Sequence, residues 1–168
     1  TRYVNKPLIE IGNAPIVLHV AFRFWIAGAK RIYLAAGWRL EKFRDDFLRL
    51  QNALVDDPIF GPLISEVEFF VIDTGEQSDT FTRVKRINEI THGSHLLVTY
   101  GDTITDVDCL ALLESYNRVK CSREYCMLSA VQPEKRFSNI VFDPETKQTL
   151  SLLLLGLPSK TCTWKRMA

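Results

Sequence analysis

Apolar and polar positions along this chain follow two periods, one typical of buried strands and one typical of amphipathic helices. Residues 31–36 and 67–72 are short apolar runs that suit buried parallel strands. Residues 38–54 carry apolar side chains at three- and four-residue spacing with charges between them, which predicts a helix. The same criteria predict helices at 16–27, 80–90 and 106–120, strands at 95–100, 125–131 and 139–142, and a loop at 56–65.

The alternation of strands with helices predicts the fold class. Such an order implies right-handed crossovers and a mainly parallel sheet, so we expect an α/β, Rossmann-like three-layer domain. We expect this domain to occupy residues 1–150 and residues 151–168 to form a loosely ordered tail, since that tail has no periodicity. At the first helix, Asn13 is the expected cap, with Pro15 in the first turn.

Composition excludes several classes of protein. The chain has 168 residues, 46% of them hydrophobic, and a formal net charge of +1, so bulk attraction to nucleic acid or a membrane surface is not expected. No apolar run approaches the roughly 20 residues of a membrane helix. Four cysteines without a C-x-x-C pair favour reduced thiols in a cytoplasmic protein. His92 and His95 allow a zinc interpretation, but turn polarity explains them better.

The stretch "TYGDTITDVD", residues 99–108, places an acid where a predicted buried strand ends. Ligands of parallel sheets bind beyond the carboxyl ends of the strands. Gly101 would let the backbone approach a ligand closely, and the Asp102 carboxylate suits Mg²⁺. The alternative is that Asp102 and Asp106 only begin the next helix. Asp106 is well explained as its cap and Asp108 by the helix dipole.

Four segments in order resemble one family. The segments "KPLIEIGNAPIVLHV", "AAGW", "VIDTGEQSDTFTRVKRI" and "TYGDTITDVD" occur at spacings similar to those of the sugar-1-phosphate nucleotidyltransferases, from about Lys6 to about Phe142. The resemblance implies a nucleotide-diphospho-sugar transferase fold and Mg²⁺-dependent attack of a sugar 1-phosphate on an NTP, with loss of pyrophosphate. The D-T-G-E and T-Y-G-D segments are most similar to the cytidylyl branch, which favours CTP and glucose 1-phosphate. Members are commonly oligomeric, so a homo-oligomer is a further expectation.

The resemblance also implies site residues. Lys6 matches the lysine of the family's Lys-Pro motif, which neutralises phosphate charge, and Asp102 matches its metal-binding aspartate. Taken alone, Lys6 would be interpreted as a solvated lysine. Glu10 and Gly12 fall in the E-I-G turn, where a structural role is expected as much as nucleotide contact. Arg83 and Lys85 match a basic pair that reaches phosphate or nucleotide, although a solvated helix face explains this pair nearly as well.

Departures from the family pattern bear on activity. A glycine-rich loop, roughly G-G-x-G-T-R, and its strand have no counterpart ahead of Lys6, so we expect a domain that is incomplete at its N-terminus. Glycines of the pattern are replaced at four positions: Phe81, Thr82, Thr103 and Ser138. The downstream half of the pattern has no clear counterpart beyond Leu150. Two hypotheses follow, an enzyme and a catalytically inactive binding or regulatory domain. A dinucleotide-binding domain is disfavoured because the chain has no G-x-G-x-x-G.

Overall fold

The computed structural model describes residues 4–91, 95–119 and 126–129, and the backbone of two further strands at 139–142 and 149–153. The chain divides into two compact units, one ending at Ser115 and one beginning at Tyr116. All four segments that carry the family resemblance lie in the first unit.

A parallel pair of strands in the first unit consists of β3 (Arg31–Ala36) and β4 (Glu68–Asp73). Arg31 is paired with Glu68 and Ala36 with Asp73, so the two carboxyl ends lie side by side. Helices α2 (Leu40–Ala53) and α3 (Phe60–Glu66) connect the strands. The two predicted strands and the predicted helix at 38–54 are confirmed to within two residues at each end.

The hydrophobic core lies against one face of this pair. Alternate residues of the strands, Ile32 and Leu34 on one and Phe69 on the other, pack against the buried cluster, as the two-residue period of a strand requires. Helix α1 (Ile16–Ile26) contributes Leu18, which is completely buried. Helix α2 contributes Phe43 and Phe47, one turn apart, and the Phe47 ring meets Phe69 edge-on at 5.5 Å. The sequence prediction of α1 at 16–27 is confirmed.

A short hairpin precedes α1. Strand β1 (Glu10–Ile11) is paired antiparallel with β2 (Ala14–Pro15) across a turn at Gly12 and Asn13. Gly12 has a φ of 66°, in the left-handed region that glycine adopts without a Cβ clash. Before the hairpin, a 3₁₀ helix at Lys6–Leu8 contacts both α1 and α2. These contacts position the lysine and proline of the first motif.

Residues 95–100, which the sequence predicts to be a buried strand, form no strand among the described residues. Leu97, Val98 and Tyr100 are 36%, 60% and 64% exposed. The prediction was wrong because an apolar run shows only that a segment suits burial, whereas a strand also needs a neighbouring strand to satisfy its backbone groups. In the described part of the chain, β3 and β4 pair only with each other.

Helix α3 was not predicted, because its first turn lies in the segment 56–65 that reads as a loop. Asp57 holds the turn that leads into it, since Oδ1 of Asp57 accepts hydrogen bonds from the backbone N–H groups of Ile59, at the cap position, and Phe60 at 2.8 and 2.9 Å. This contact lets a stretch with proline and glycine fold as a helix. Helix α4 (Thr80–Thr91) confirms the prediction at 80–90, and α5 (Cys109–Arg118) is shorter than the predicted 106–120.

The second unit contains an antiparallel pair, β5 (Asn139–Phe142) with β6 (Thr149–Leu153). The strand predicted at 139–142 is confirmed. Of the strand predicted at 125–131, residues 126–129 lie outside helix and strand, and the remaining residues lie outside the described part. Residues 154–168 also lie outside it, so a domain boundary near residue 150 stays a prediction.

Helices and strands alternate through the first unit, which confirms the α/β class. The sheets of the described residues are two-stranded pairs, and the larger three-layer arrangement with a mainly parallel sheet stays a prediction. In the portion of the chain that the structure describes, no helix is long and apolar enough to cross a membrane.

Candidate active site

The structure brings the lysine-proline motif next to the glycine-aspartate motif. A methyl group on the Cα of Gly101 would lie 3.5 Å from Cγ and 3.6 Å from Cβ of Pro7, which is ordinary van der Waals contact. Lys6 and Asp102 each adjoin one side of this contact in the chain, and both side chains are exposed. A cation and a carboxylate that lie some 95 residues apart in sequence thus adjoin two residues, Pro7 and Gly101, that lie close together in the fold.

The sequence predicts Asp102 at the end of a strand, but the structure places it in a turn after the segment 95–100, which is not a strand. The backbone N–H of Thr103 closes this turn by donating to the carbonyl of Tyr100 at 3.3 Å. Asp106 is not the cap of helix α5 either. Oδ1 of Asp108 accepts from the N–H groups of Leu110 and Ala111, so Asp108 is the cap. Asp102 is therefore not needed to begin the helix.

Glu10 and Gly12 lie in the β1–β2 hairpin, where both are exposed. No atom comes within 4 Å of a methyl group built on Gly12, so its positive φ, and not crowding, explains the glycine. Asn13 does not cap α1, because Pro15 occupies the cap position. Instead Nδ2 of Asn13 donates to Oδ2 of Asp57 at 2.7 Å and joins the turn to the start of α3.

The loops that follow β3 and β4 are locked together at the carboxyl ends of the strands. Gly37 lies against the backbone of Gly75, and a methyl group on Gly37 would overlap the Gly75 carbonyl and lie 2.9 Å from the amide nitrogen of Glu76. Thr74 is completely buried, and both its backbone N–H and its hydroxyl donate to the carbonyl of Ala36 at 2.8 Å. A side chain larger than hydrogen at Gly37 would separate these loops.

Arg83 holds the same loops and contacts protein acceptors on several sides. Its guanidinium donates to the hydroxyl of Thr74 at 2.6 Å and to the carbonyl of Ser78 at 3.1 Å, with longer contacts to the carbonyls of Ala35 and Glu76. These contacts give Arg83 a structural function. The sequence resemblance, which implies a contact with phosphate or nucleotide, contains no signal for it.

Arg86 completes this cluster and was not predicted. It lies one turn after Arg83 on α4, and its guanidinium donates to the carbonyl of Thr74. The three-residue spacing that places both arginines on one helix face was the available signal. Lys85 lies on a different face, exposed and 4.0 Å from the carboxylate of Glu89, so the predicted pair of Arg83 and Lys85 is split.

The segment in place of the family's T-G-G-R forms the first turn of α4. Phe81 is 51% exposed. The backbone N–H of Thr82 donates to Oδ1 of Asp79 at 2.8 Å, and this hydrogen bond lowers the pKa of the Asp79 carboxyl below its usual range. The pKa of Asp57 is likewise lowered, first by the N–H of Phe60 and then by that of Ile59. Both shifts arise from helix caps and not from a catalytic arrangement.

The arrangement of carboxylates among the described residues decides whether they could hold the Mg²⁺ that the resemblance implies. The residues that the structure describes contain no group of three or more His, Cys, Asp or Glu side chains that could hold a metal ion. Mg²⁺ is commonly bound through one or two carboxylates, with waters and substrate phosphates completing its shell. The single exposed carboxylate of Asp102 fits an ion that arrives with a nucleotide, and not one held by protein ligands alone. The zinc interpretation falls partly on His92, outside the described residues.

Comparisons with known proteins give sequence relatives of one kind. No protein-family model matches the chain. A glucose-1-phosphate cytidylyltransferase of Salmonella typhimurium is 27% identical over an alignment of 142 positions that covers 79% of this chain and 54% of that protein, and the enzyme of Salmonella typhi gives the same values. A probable glucose-1-phosphate cytidylyltransferase of Bacillus subtilis is 27% identical over an alignment of 128 positions that covers 71% of this chain and 50% of that protein.

The chain spans about half the length of the curated relatives it matches. Most of this chain is covered by each match, 79% of it by the Salmonella enzymes and 71% by the Bacillus protein. The chain is therefore related to the sugar-1-phosphate nucleotidyltransferases.

Proposed function

We propose that the site around Lys6 and Asp102 supports nucleotidyl transfer from an NTP to a sugar 1-phosphate, with release of pyrophosphate. The observation that carries the proposal is the contact of Pro7 with Gly101, because it brings the two motifs of the resemblance together. CTP and glucose 1-phosphate are the favoured substrates, since the relatives are named glucose-1-phosphate cytidylyltransferases. The three-layer nucleotidyltransferase fold is part of the same proposal.

The proposed functions of the two residues follow from their charges. The Lys6 ammonium is an exposed point charge on a flexible chain, and it would neutralise phosphate charge as the transferred group moves. The Asp102 carboxylate would bind Mg²⁺ that accompanies the nucleotide, and the ion would supply charge neutralisation for the phosphates. Positioning by these two groups is the main requirement, because phosphoryl chemistry of this kind needs little covalent participation by the protein.

Calorimetry of CTP with Mg²⁺ against the whole chain tests the site. We expect saturable heat with the wild-type protein and at least about a tenfold loss of affinity in Asp102→Asn, since a charged partner of the bound ion is removed. Asp106→Asn is the matched control, because Asp106 is equally exposed, lies four residues away and should leave binding unchanged. Equal binding by both variants would contradict the assignment of Asp102.

Lys6 has its own pair of variants. Lys6→Ala should weaken CTP binding, whereas Lys42→Ala should not, because Lys42 is exposed on α2 and paired with Asp46 at 2.9 Å. Release of pyrophosphate on addition of glucose 1-phosphate then tests turnover. Loss of affinity to the same extent in both lysine variants would mean that general charge, and not the Lys-Pro motif, attracts the nucleotide.

A second candidate function is a catalytically inactive nucleotidyltransferase-like domain that binds or regulates. The internal contacts of Arg83 favour it, because a guanidinium that holds Thr74 and Ser78 has little capacity left for phosphate. Phe81, Thr82 and Thr103 in place of glycines also favour it, and Ser138 lies outside the described residues. CTP binding that depends on Asp102, without any release of pyrophosphate, would select this candidate over the enzyme.

A further inference from the structure

A cleft of about 240 Å³ lies between helix α1 and the segment 99–109, entirely within the first unit. Val20 and Cys109 are the buried residues of its lining, and Cys109 is 8% exposed. Phe22 and Phe24 form part of one wall, and the exposed side chain of Ile104 forms part of the other. The cleft therefore has an apolar interior and an opening that small molecules can reach.

One hydrogen bond joins the two walls of the cleft. A terminal nitrogen of the Arg23 guanidinium, on α1, donates to the carbonyl of Val107 at 2.6 Å. The thiol of Cys109 donates to the same carbonyl oxygen at 3.8 Å, within the other wall. Because the donor that joins the walls is charged and partly buried, this hydrogen bond is of the stronger kind.

The charges around the cleft select the kind of molecule that fits it. The described residues that line it include one guanidinium, that of Arg23, one imidazole, that of His19, and no carboxylate. Nε2 of His19 lies 3.0 Å from the carbonyl oxygen of Ile11, and the aspartates of the segment 99–109 are exposed and do not line the cleft. A guanidinium has five N–H donors in a planar fork that matches a carboxylate. The remaining lining is largely apolar or threonine, with hydroxyls from residues such as Thr103. An anionic group with an apolar body therefore complements the lining.

The volume limits the size of that body. A cavity of about 150 Å³ holds benzene, whereas pockets for drug-sized ligands measure about 300–1,000 Å³. At about 240 Å³ the cleft is suited to one ring with a small substituent and is too small for a nucleoside triphosphate. Its occupant is thus different from the nucleotide proposed for the Lys6 and Asp102 site.

We propose that this cleft is a binding site for a small single-ring carboxylate, with the carboxylate directed to Arg23 and the ring placed between Phe22 and Ile104. The proposal does not depend on nucleotidyl transfer, since it uses none of the residues assigned to that reaction.

Protection of Cys109 from iodoacetamide tests the proposal on the whole native chain, with benzoate as the probe and benzamide as its neutral counterpart. Trypsin separates the two thiols of interest, since Cys109 falls in the peptide 87–118 and Cys126 in the peptide 124–135. Cys126 is exposed and serves as the internal control. We expect benzoate to slow labelling of Cys109 several-fold at millimolar concentration, and benzamide to need about ten times more, since a charged hydrogen bond is lost. Labelling of Cys126 should not change.

Substitution of Arg23 provides a second test of the proposal. Arg23→Gln removes the charge and, being two atoms shorter, also the terminal donor for Val107, and it should abolish the preference for benzoate over benzamide. Arg49→Gln is the matched control, because Arg49 is exposed on α2 beside Asp46 and should leave the preference intact. Circular dichroism reports whether each variant is folded, and if Arg23→Gln is not, the comparison of benzoate with benzamide on the wild type decides.

Three outcomes would overturn the proposal. Equal protection by benzoate and benzamide would remove the anionic specificity. Parallel slowing of Cys109 and Cys126 would indicate a general effect on the reagent or the chain. Labelling of Cys109 at the same rate with and without benzoate would show that benzoate does not occupy the cleft.

Discussion

Two glycines in the first unit have different reasons for lacking a side chain, and substitution separates them. Gly37→Ala should destabilise the protein by about 1–3 kcal/mol, because the new methyl group would overlap the backbone of Gly75 and force the two loops apart. Gly101→Ala should leave stability close to that of the wild type, because its methyl group would meet only Pro7 at ordinary contact distance. Urea unfolding measures both changes.

Gly37→Ala and Gly101→Ala also test the proposed nucleotide site around Lys6 and Asp102. If Gly101 serves only to let a nucleotide approach, Gly101→Ala should weaken CTP binding while its unfolding midpoint stays unchanged. An equal loss of stability in the two variants would show that the contact of Pro7 with Gly101 is tighter than ordinary packing. It would then weaken the argument that the glycine is there for a ligand.

Individual site residues could be predicted from the sequence only as far as the family resemblance extends. That resemblance identifies Lys6 and Asp102, but the contact of Pro7 with Gly101 that brings their motifs together depends on the fold and cannot be deduced from spacing. Arg83 shows the opposite case. Its position matches the family, yet its guanidinium is directed at Thr74, a buried hydroxyl whose importance is visible only once the two loops are packed.

At the start of helix α5, Asp108 and Asp106 should contribute differently to the stability of this single element. Asp108→Ala should destabilise the protein by about 0.5–2 kcal/mol, since it removes the acceptor for the N–H groups of Leu110 and Ala111. Asp106→Ala should change stability by less than about 0.5 kcal/mol, as is usual for an exposed surface residue. Thermal unfolding of the two variants measures the difference, and a larger loss for Asp106 would return the cap to the position that the sequence predicts.

Helix α3 should make stability depend on acid. The hydrogen bonds from the N–H groups of Phe60 and Ile59 lower the pKa of Asp57, so the folded state favours its ionised form. That contribution is fully present above the ordinary carboxyl pKa of 3.8 and is lost as the pH falls through the lowered value. Between pH 7 and pH 3 the melting temperature of the wild type should therefore fall further than that of Asp57→Asn, which keeps a capping oxygen but cannot titrate. Parallel melting curves would contradict this explanation.

Elements with a clear period were predicted well, and those that depend on neighbours were not. Helix α2 and strand β3 follow from local patterns of apolar residues, which reflect the faces they bury. Helix α3 was not predicted because Pro58 and Gly61 indicate a loop, while the turn at Asp57 that leads into the helix depends on side-chain hydrogen bonds. Residues 95–100 were assigned to a strand on composition alone, although pairing decides whether an apolar run becomes one.

The described core is concentrated early in the chain at the scale of the whole molecule. Every member of the main buried cluster lies between Leu8 and Val67, on the helices and strands of the first unit. A core formed by local, sequential elements should fold without contributions from distant residues.

Truncation tests whether the first unit is autonomous. A chain of residues 1–119 keeps α5 whole, together with the hydrogen bond from Arg23 to the carbonyl of Val107. It should unfold cooperatively, with a melting temperature within about 4 °C of the full chain, the shift that about 1 kcal/mol produces in a domain of this size. A chain of residues 1–105 should melt lower, because Arg23 loses its acceptor and Cys109 leaves the cleft. Absence of a cooperative transition in residues 1–119 would mean that the first unit needs the second in order to fold. The cleft and the Lys6 and Asp102 site would then have to be studied only in the full chain.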